Sequence, residues 1–363
     1  MTQKLFTLGP AEMHGYTRGA LSEQIPYFRT EEFSQINIEC MERLRRLAGA
    51  PDDTHVYLLA CSGTGAMEAV VAGCFSGAHD RLLVIDGGSF GRRFAEIATH
   101  HEIPHEAATF SFGETLKLDV LDAAIGSAEG FTGMLVNIHE TSTGQLYDRG
   151  MLASFCGEHG LYFVCDAIGS FLADPLDFEK DGIDALIISS QKALALPPGL
   201  SAVILSDRLF RKMSDQGIKP FSYYFDFKQA EENAVRGQTP FTPPVGIIMA
   251  LRERLERIEN EGGTEASVAR TKELAKDFRE RLKPLIERKL VVLSPYVLSN
   301  ACTPLVFING GAKDACQKLS QNGVWLNPNG GPLEDVVLRV GHLGDLTLDD
   351  NAMLVEMLSD ILL

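Results

Sequence analysis

Residues 185–199 have the sequence ALIISSQKALALPPG. The segment Ala185 to Ser189 has the composition of a buried strand, and Pro197-Pro198-Gly199 is typical of a turn. Lys192 lies between them, beside an apolar segment. Desolvation lowers the pKa of a lysine and makes its amine nucleophilic. The alternative is a lysine whose ammonium group extends to solvent. This stretch therefore predicts a sheet strand that ends at a candidate reactive lysine.

Short apolar strands followed by amphipathic helices extend outward from this stretch. The predicted strands are 55–60, 81–86, 133–138, 161–165, 185–189 and 201–205, and the predicted helices lie across 65–75, 90–100 and 150–159. Such an alternation is typical of a mostly parallel sheet that is covered on both faces. The fold class predicted is therefore α/β.

A different pattern begins near residue 260. We predict a long charged helix over 264–285, strands near Val291 and over 304–308 and 336–340, a helix over 313–321, and a final helix from about Leu348. The chain is thus expected to form an N-terminal arm (1–15), a large domain (16–260) and a smaller C-terminal α+β domain (261–363). We expect the arm to pack on one of the two domains.

The charge and cysteine content exclude several classes of partner. The 363 residues include 33 Lys and Arg against 49 Asp and Glu, a formal net charge of −16, which repels nucleic acid and anionic membranes. The seven cysteines are scattered and form no metal-binding pattern, so we expect free thiols, a reducing cytoplasmic location and no metal. The first residues lack the basic-then-apolar pattern of a signal peptide, so we expect none, and no apolar run approaches the ~20 residues of a membrane span.

The strand at 55–60 leads into Cys61-Ser62-Gly63-Thr64-Gly65 and then into a helix. Backbone N–H groups at the start of that helix, with the hydroxyls of Ser62 and Thr64, can bind a phosphate. The alternative is an N-cap on a tight glycine turn. The segment is not a Walker A loop, because the Gly-Lys-Ser/Thr ending is absent.

Two other strand ends carry polar groups. The strand at 161–165 is followed by Asp166, a carboxylate that must pair with another group, with a helix N-cap as the alternative. The strand that ends at Ile138 is followed by residues 139–144, HETSTG, a loop with three hydroxyls. Ligands of an open parallel sheet bind at the carboxyl ends of its strands, where these groups and Lys192 are expected to meet.

Together these features predict pyridoxal 5′-phosphate as the cofactor. The lysine would hold it as a Schiff base and later move a proton, and the acid would keep the pyridine nitrogen protonated so that the ring withdraws electrons. The turn at 62–65 would bind the phosphate dianion. Each feature is weak alone, and their order along the chain is much more specific.

At these positions the sequence resembles the class V aminotransferases of fold type I, which include alanine–glyoxylate, serine–glyoxylate, phosphoserine and 2-aminoethylphosphonate–pyruvate aminotransferases. The resemblance covers nearly the whole chain. It is carried by LGP at 8–10, CSGTGAMEA at 61–69, ETSTG at 140–144, Asp166, SSQKAL at 189–194 with PPG at 197–199, TPFTPP at 239–244 and LRVGH at 338–342. The segment around Lys192 is the most specific of these.

The resemblance implies a role for each matching residue of the cofactor site. Lys192 would be the Schiff-base lysine and Asp166 the partner of the pyridine nitrogen. A homodimer with shared active sites is implied as well. The implied phosphate ligands are Ser62, Gly63, Thr64 and Gln191, with Thr242 from the other subunit. Phe90, which could otherwise be a core residue, would stack on the cofactor ring, and Thr141 would approach its phenolic oxygen.

The resemblance also implies a substrate class. Arg339 would bind the α-carboxylate, and Arg29 is a second substrate-binding candidate. The histidine that precedes this arginine in phosphoserine enzymes is replaced by Phe28, and the 140–144 and 239–243 segments are most similar to the phosphonate enzymes. We predict transfer of an amino group from alanine, serine, aspartate or 2-aminoethylphosphonate to a small 2-oxo acid such as pyruvate or glyoxylate.

Two alternatives remain at this point. One is a lyase or desulfurase of the same fold and cofactor, and the other is a binding protein that has lost the chemistry. Apart from the site, the pairs Arg92-Arg93 and His100-His101 are expected on the solvated surface of the helix at 90–100, and His14, His139 and His342 are expected to be structural.

Overall fold

The computed structural model describes residues 3–363. In chain order its elements are β1 (Lys4–Leu5), α1 (Gly15–Ala20), α2 (Glu31–Leu47), β2 (His55–Leu59), α3 (Gly63–Cys74), β3 (Leu82–Asp86), α4 (Ser89–His100), β4 (His105–Thr109), α5 (Leu118–Ile125), β5 (Gly133–Asn137), β6 (His139–Glu140), β7 (Gln145–Leu146), α6 (Arg149–His159), β8 (Tyr162–Asp166), β9 (Ala185–Ser189), β10 (Ser201–Leu205), α7 (Asp207–Asp215), α8 (Phe227–Ala234), α9 (Val245–Asn260), α10 (Gly263–Arg281), α11 (Lys283–Glu287), β11 (Val291–Val292), β12 (Cys302–Phe307), α12 (Ala312–Gln321), β13 (Val324–Trp325), β14 (Asn327–Pro328), a 3₁₀ turn (Gly331–Leu333), β15 (Val337–Gly341) and α13 (Leu348–Leu362). None of the described helices is long and apolar enough to cross a bilayer.

The large sheet has the strand order β2-β10-β9-β8-β5-β3-β4. The pairs from β9 to β4 are parallel, and β10 runs antiparallel to both of its neighbours. The prediction of a mostly parallel α/β sheet is confirmed. The edge strand β4 was not predicted, because Ala108 is its only buried residue and its sequence HEAAT has no apolar run.

Both faces of this sheet are buried, which explains why its strands are continuously apolar. Side chains alternate between the faces along each strand. In β9, Leu186 and Ile188 belong to one apolar cluster, while Ala185 and Ile187 belong to another on the opposite face. The strands therefore form the rigid layer from whose carboxyl ends the polar side chains project.

Several helices differ from the prediction, and α1, α5, α7 and α8 were not predicted. The amphipathic helix α2 was not predicted; it buries Phe33 and Leu44 and packs against α9. The single long helix expected over 264–285 is divided into α10 and α11, with Pro284 in the first turn of the second helix. Proline has no N–H to donate and clashes with the preceding turn, so the helix ends before it.

The N-terminal segment contacts both parts of the chain, whereas packing on one domain was expected. Strand β1 pairs in parallel with β13, and the Gly341 N–H donates to the Phe6 carbonyl at 2.7 Å. The Ala11 N–H donates to the Gln191 carbonyl at 3.0 Å. The small sheet, of order β11-β12-β15-β14, lies entirely after residue 260. The bounds at residues 15 and 260 stay predictions.

Candidate active site

Lys192 lies in a tight loop that begins where β9 ends. The Ala195 N–H donates to the Lys192 carbonyl at 2.8 Å, and the Leu196 N–H returns to the Ser190 carbonyl at 3.0 Å. The lysine stem passes directly against the N-terminal segment: a Cβ added to Gly9 would lie 2.8 Å from Lys192 Cδ. Only glycine leaves room for the lysine at this position.

The amine of Lys192 is prepared for nucleophilic chemistry. Burial lowers the pKa of Lys192 to about 8, and the carboxylate of Asp166 opposes that shift. Among residues 3–363, no group forms a hydrogen bond with Lys192 Nζ. A lysine that extends freely into solvent would keep its ordinary pKa, so the solvent-exposed alternative does not describe this side chain.

Asp166 is the last residue of β8, and its side chain is 5% exposed. Burial raises the pKa of Asp166 to about 7. Two groups oppose this shift: the Ile168 N–H, which donates to Oδ1 at 2.8 Å, and the charge of Lys192. Residues 168–173 form turns rather than a helix, so Asp166 is not a helix N-cap. A buried carboxylate in this state is suited to a cationic N–H partner, such as a protonated pyridine.

The N-terminus of α3 has donors available for an anion. Ser62 caps the helix by accepting from the Gly65 N–H at 3.4 Å, so the N-cap alternative describes this residue correctly. The N–H groups of Gly63 and Thr64 have no acceptor within the described chain, and such groups bind phosphate. A Cβ added to Gly63 would lie 2.4 Å from Ile168 Cδ1, which places this turn beside the Asp166 loop.

Arg93 connects two of the predicted cofactor residues, although it was expected on the solvated surface. Its Nη1 donates to the Thr64 hydroxyl at 3.0 Å, and its guanidinium lies 4.8 Å from the centre of the Phe90 ring. Arg92 is exposed, as expected. One turn of α4 separates Phe90 from Arg93, and that spacing could have indicated a shared face.

Glu140 is a buried residue of the site to which the sequence analysis gave no role. It is 0% exposed and accepts hydrogen bonds from the Gly91 N–H at 2.9 Å, Asn137 Nδ2 at 2.8 Å and the Ser142 N–H at 3.0 Å. These bonds connect the start of α4, which carries Phe90, to the loop that carries Thr141. Its position after a buried strand, like that of Asp166, was the signal that could have identified it.

Arg339 extends from β15 of the small sheet to the loop after β5. Its Nη1 donates to the Thr141 carbonyl at 3.2 Å and its Nη2 to the Pro328 carbonyl at 2.7 Å. Its buried Nε has no partner among the described residues. Burial lowers the pKa of Arg339. A guanidinium with an unused donor is suited to a carboxylate ligand.

The other predicted cofactor residues have different surroundings. Gln191 Oε1 accepts from the Ser189 hydroxyl at 2.6 Å, and the Thr141 hydroxyl donates to the His139 carbonyl at 3.4 Å. Thr242 is exposed in the segment before α9 and lines a pocket with Ala60 and Tyr224.

Arg29 does not contact the Lys192 region in this subunit. Its Nη1 donates to Gln238 Oε1 and to the Thr239 carbonyl, both at 3.0 Å. Within the described residues no hydrogen bond joins Arg29 or Thr242 to Lys192 or Asp166. Their substrate and cofactor roles stay predictions.

These groups fit pyridoxal 5′-phosphate. The lysine amine has a lowered pKa, the buried carboxyl has a raised one, and two unpaired N–H groups begin a helix. All three belong to connected elements at one edge of the sheet, because Gly63 approaches both Ile168 and Ser189.

We predict that Glu140→Ala weakens the binding of pyridoxal 5′-phosphate by about 10-fold or more, because each buried donor left unsatisfied costs roughly 1–3 kcal/mol. Glu140→Gln keeps one acceptor oxygen and should have an intermediate effect. Titration of each apoprotein with pyridoxal 5′-phosphate measures the affinity of both variants. Glu158→Ala, an exposed substitution on α6, is the control. Equal affinities for the Glu140 and Glu158 variants would show that Glu140 does not position the site.

Known proteins are similar to this chain in sequence and in fold. The family model for aminotransferase class-V matches residues 17–331. An uncharacterized aminotransferase of Helicobacter pylori is 28% identical over 361 residues, covering 98% of this chain and 92% of that protein. A 2-aminoethylphosphonate–pyruvate transaminase of Bacteroides fragilis is 29% identical over 332 residues, covering 89% and 90%. The structure of an aspartate aminotransferase from Thermus thermophilus has a TM-score of 0.87 and 27% identity, covering 99% of each chain. The chain therefore belongs to the class V aminotransferases and is a pyridoxal-phosphate-dependent aminotransferase of fold type I.

Proposed function

We propose that this aminotransferase moves an amino group from a small amino acid or aminophosphonate to a small 2-oxo acid such as pyruvate or glyoxylate, with Lys192 and Asp166 as its catalytic residues. The donors considered are alanine, serine, aspartate and 2-aminoethylphosphonate. The observation that carries the assignment is the Lys192 amine, with its pKa lowered to about 8, beside the buried carboxyl of Asp166. The B. fragilis relative, named for 2-aminoethylphosphonate and pyruvate, supports the choice of substrates.

Lys192 has two tasks in this proposal. It holds the cofactor, and its amine moves a proton at the α-carbon of the substrate. A pKa near 8 leaves a substantial neutral fraction at physiological pH, which a general base requires. The bound cofactor supplies an electron sink for that α-carbon. The buried carboxyl of Asp166 would hold the protonated ring nitrogen through a charge-assisted hydrogen bond.

The remaining residues bind and orient. The N–H groups and hydroxyls at Ser62, Gly63 and Thr64 receive the phosphate, and the Ser189 hydroxyl fixes the amide of Gln191 so that its Nε2 can donate to the same group. Phe90 would stack on the cofactor ring and Thr141 would hold its phenolic oxygen. Arg339 would bind the substrate α-carboxylate through its unpaired Nε and an adjacent Nη of the guanidinium.

The lyase or desulfurase alternative is less well supported. A desulfurase requires a cysteine on a flexible loop that faces the cofactor. Cys302 is buried in β12, where burial raises its pKa to about 12, and Cys316 lies within α12. The buried Cys302 is not an accessible nucleophile, and the half-buried Cys316 lies within a helix, where burial raises the pKa of its thiol. A binding protein without catalysis would have no need of the lowered Lys192 pKa.

We also propose a homodimer in which Thr242 of one subunit binds the phosphate in the other. Within one subunit, Thr242 is exposed and has no bond to Lys192 or Asp166. It lies near large exposed apolar side chains, including Tyr223 at 78% and Tyr224 at 42% exposure. A second copy would bury this surface. The cytoplasmic location stays a prediction, supported by the seven free cysteines.

We expect Lys192→Ala to abolish transamination with every donor while the fold stays intact, because the amine both holds the cofactor and moves the proton. Asp166→Asn should retain cofactor and lose at least about 100-fold in rate. Turnover is followed through the cofactor absorbance band and keto-acid product, and folding through circular dichroism. Lys272→Ala, on the exposed face of α10, should behave as wild type. Turnover by Lys192→Ala above a trace would refute the assignment.

The donor screen should favour substrates with a second anionic group. A charge-assisted hydrogen bond contributes roughly 1.5–3 kcal/mol, so a phosphonate or dicarboxylate donor is expected to exceed alanine by about 10-fold or more in kcat/KM. Arg29→Ala should remove that advantage and leave kcat/KM for alanine unchanged. Arg236→Ala applies the same test to Arg236, the other exposed arginine of this region. If Arg29→Ala impairs both donors alike, Arg29 only positions the 238–240 segment to which it is bonded.

Mixing two inactive variants tests the shared sites. In a hybrid dimer of Lys192→Ala and Thr242→Val subunits, one site has both the intact lysine and the intact threonine, provided that Thr242 crosses to its partner. Activity at limiting cofactor should therefore return on mixing and stay low for either variant alone. No recovery despite confirmed subunit exchange, or a monomer of 39.7 kDa in solution, would contradict the proposal.

A further inference from the structure

A cluster of metal-ligand side chains lies on the large domain, away from the cofactor residues. It consists of Glu68 on α3, His100 at the end of α4, and His101, which follows it. The potential ligand atoms of the three residues all lie within 4.8 Å of one another. His101 Nε2 and Glu68 Oε1 are 2.9 Å apart. We propose that Glu68, His100 and His101 form a binding site for a divalent transition metal ion such as Zn²⁺.

The ends of the helices bring these residues together. Helices α3 and α4 pack against each other, so Glu68 in the second turn of α3 faces the last turn of α4. Consecutive residues within a helix point in different directions. His101, however, is the C-cap of α4, with φ −95° and ψ 15°, and its ring lies 5.0 Å from that of His100, at 89° to it. The two imidazoles can therefore converge on the same carboxylate.

The surroundings differ from the solvated surface that the sequence suggested. His100 is exposed, but His101 is half-buried and contacts the Phe221 ring edge-on at 4.7 Å. Among residues 3–363, His101 is the only titratable side chain within ion-pair distance of Glu68, so no lysine or arginine neutralises this carboxylate. The carboxylate and the two imidazoles can therefore all act as ligands of a metal cation.

The donor set selects the class of metal. Two imidazole nitrogens and one carboxylate oxygen suit Zn²⁺, Ni²⁺ or Cu²⁺, whereas Mg²⁺ and Ca²⁺ prefer oxygen ligands alone. A tetrahedral Zn²⁺ with bonds of about 2.0–2.1 Å separates its ligand atoms by roughly 3.3 Å. The distance between Glu68 Oε1 and His101 Nε2, 2.9 Å, would have to increase slightly, and the exposed His100 ring can rotate toward the ion. Water would complete the coordination.

The position of the cluster gives the ion a structural effect. The N-termini of α3 and α4 carry Ser62 and Phe90 of the cofactor site, and His100 is about 15 Å along α4 from Phe90. An ion that joins the other end of α4 to α3 would crosslink the two helices without touching the catalytic residues. A ligand that binds only the folded state raises the melting temperature by mass action.

The test uses tag-free, cofactor-loaded protein that has been stripped with a chelator. Zn²⁺ is titrated by calorimetry, and the melting temperature is recorded with Zn²⁺ and with Mg²⁺. We expect one Zn²⁺ per subunit and a higher melting temperature with Zn²⁺ only. Glu68→Gln and His100→Ala should each weaken binding by at least about 10-fold, since loss of even an outer-shell partner of a metal site has an effect of this size.

His159→Ala is the matched control, because His159 is also an exposed histidine at the last position of a helix, α6. It should bind Zn²⁺ as wild type does. His100→Ala is preferred to His101→Ala because His100 is exposed and its loss leaves the fold intact. The proposal is overturned if wild type binds no Zn²⁺, if Glu68→Gln and His100→Ala bind it unchanged, or if His159→Ala loses it equally.

Discussion

The opposed charges of Asp166 and Lys192 are the constraint around which this enzyme is organised. Burial alone would neutralise both groups, since it raises the pKa of the carboxyl and lowers that of the amine, and each charge partly reverses the shift of the other. Their separation is fixed because β8 and β9 are paired in parallel, with Asp166 opposite Ile187. The rigid sheet thus maintains two groups that could titrate near neutral pH.

Two helices begin at this edge of the sheet, and the chain treats their N-termini differently. The start of α4 is occupied by the protein's own carboxylate, because Glu140 accepts from the N–H of Gly91. The start of α3 keeps the N–H groups of Gly63 and Thr64 unpaired within the described chain. Of these two helix N-termini, the start of α3 is therefore the one that could bind a phosphate.

The small sheet and the N-terminal segment contact the site from outside the large sheet. Arg339 on β15 donates to the Thr141 carbonyl, so the small sheet is joined to the loop that follows β5. Gly9 packs closely against the side chain of Lys192, and β1, which ends four residues earlier, is paired with β13. The same short segment thus contacts both Lys192 and the C-terminal strand β13.

The sequence by itself determined the α/β class and placed Lys192, Asp166 and Ser62–Thr64 at the ends of strands, because apolar periodicity and local turn residues are encoded over a few positions. It did not determine β4 or α2, or the contacts of Arg93, Glu140 and Gly9. Strand β4 is too polar to show the apolar run that is typical of a buried strand. The contacts of Arg93 were missed because the Arg92-Arg93 pair was expected on the solvated surface of its helix. Glu140 binds the N–H of Gly91, and Gly9 lies against the side chain of Lys192. These partners are distant in the chain, and only the tertiary structure brings them into contact.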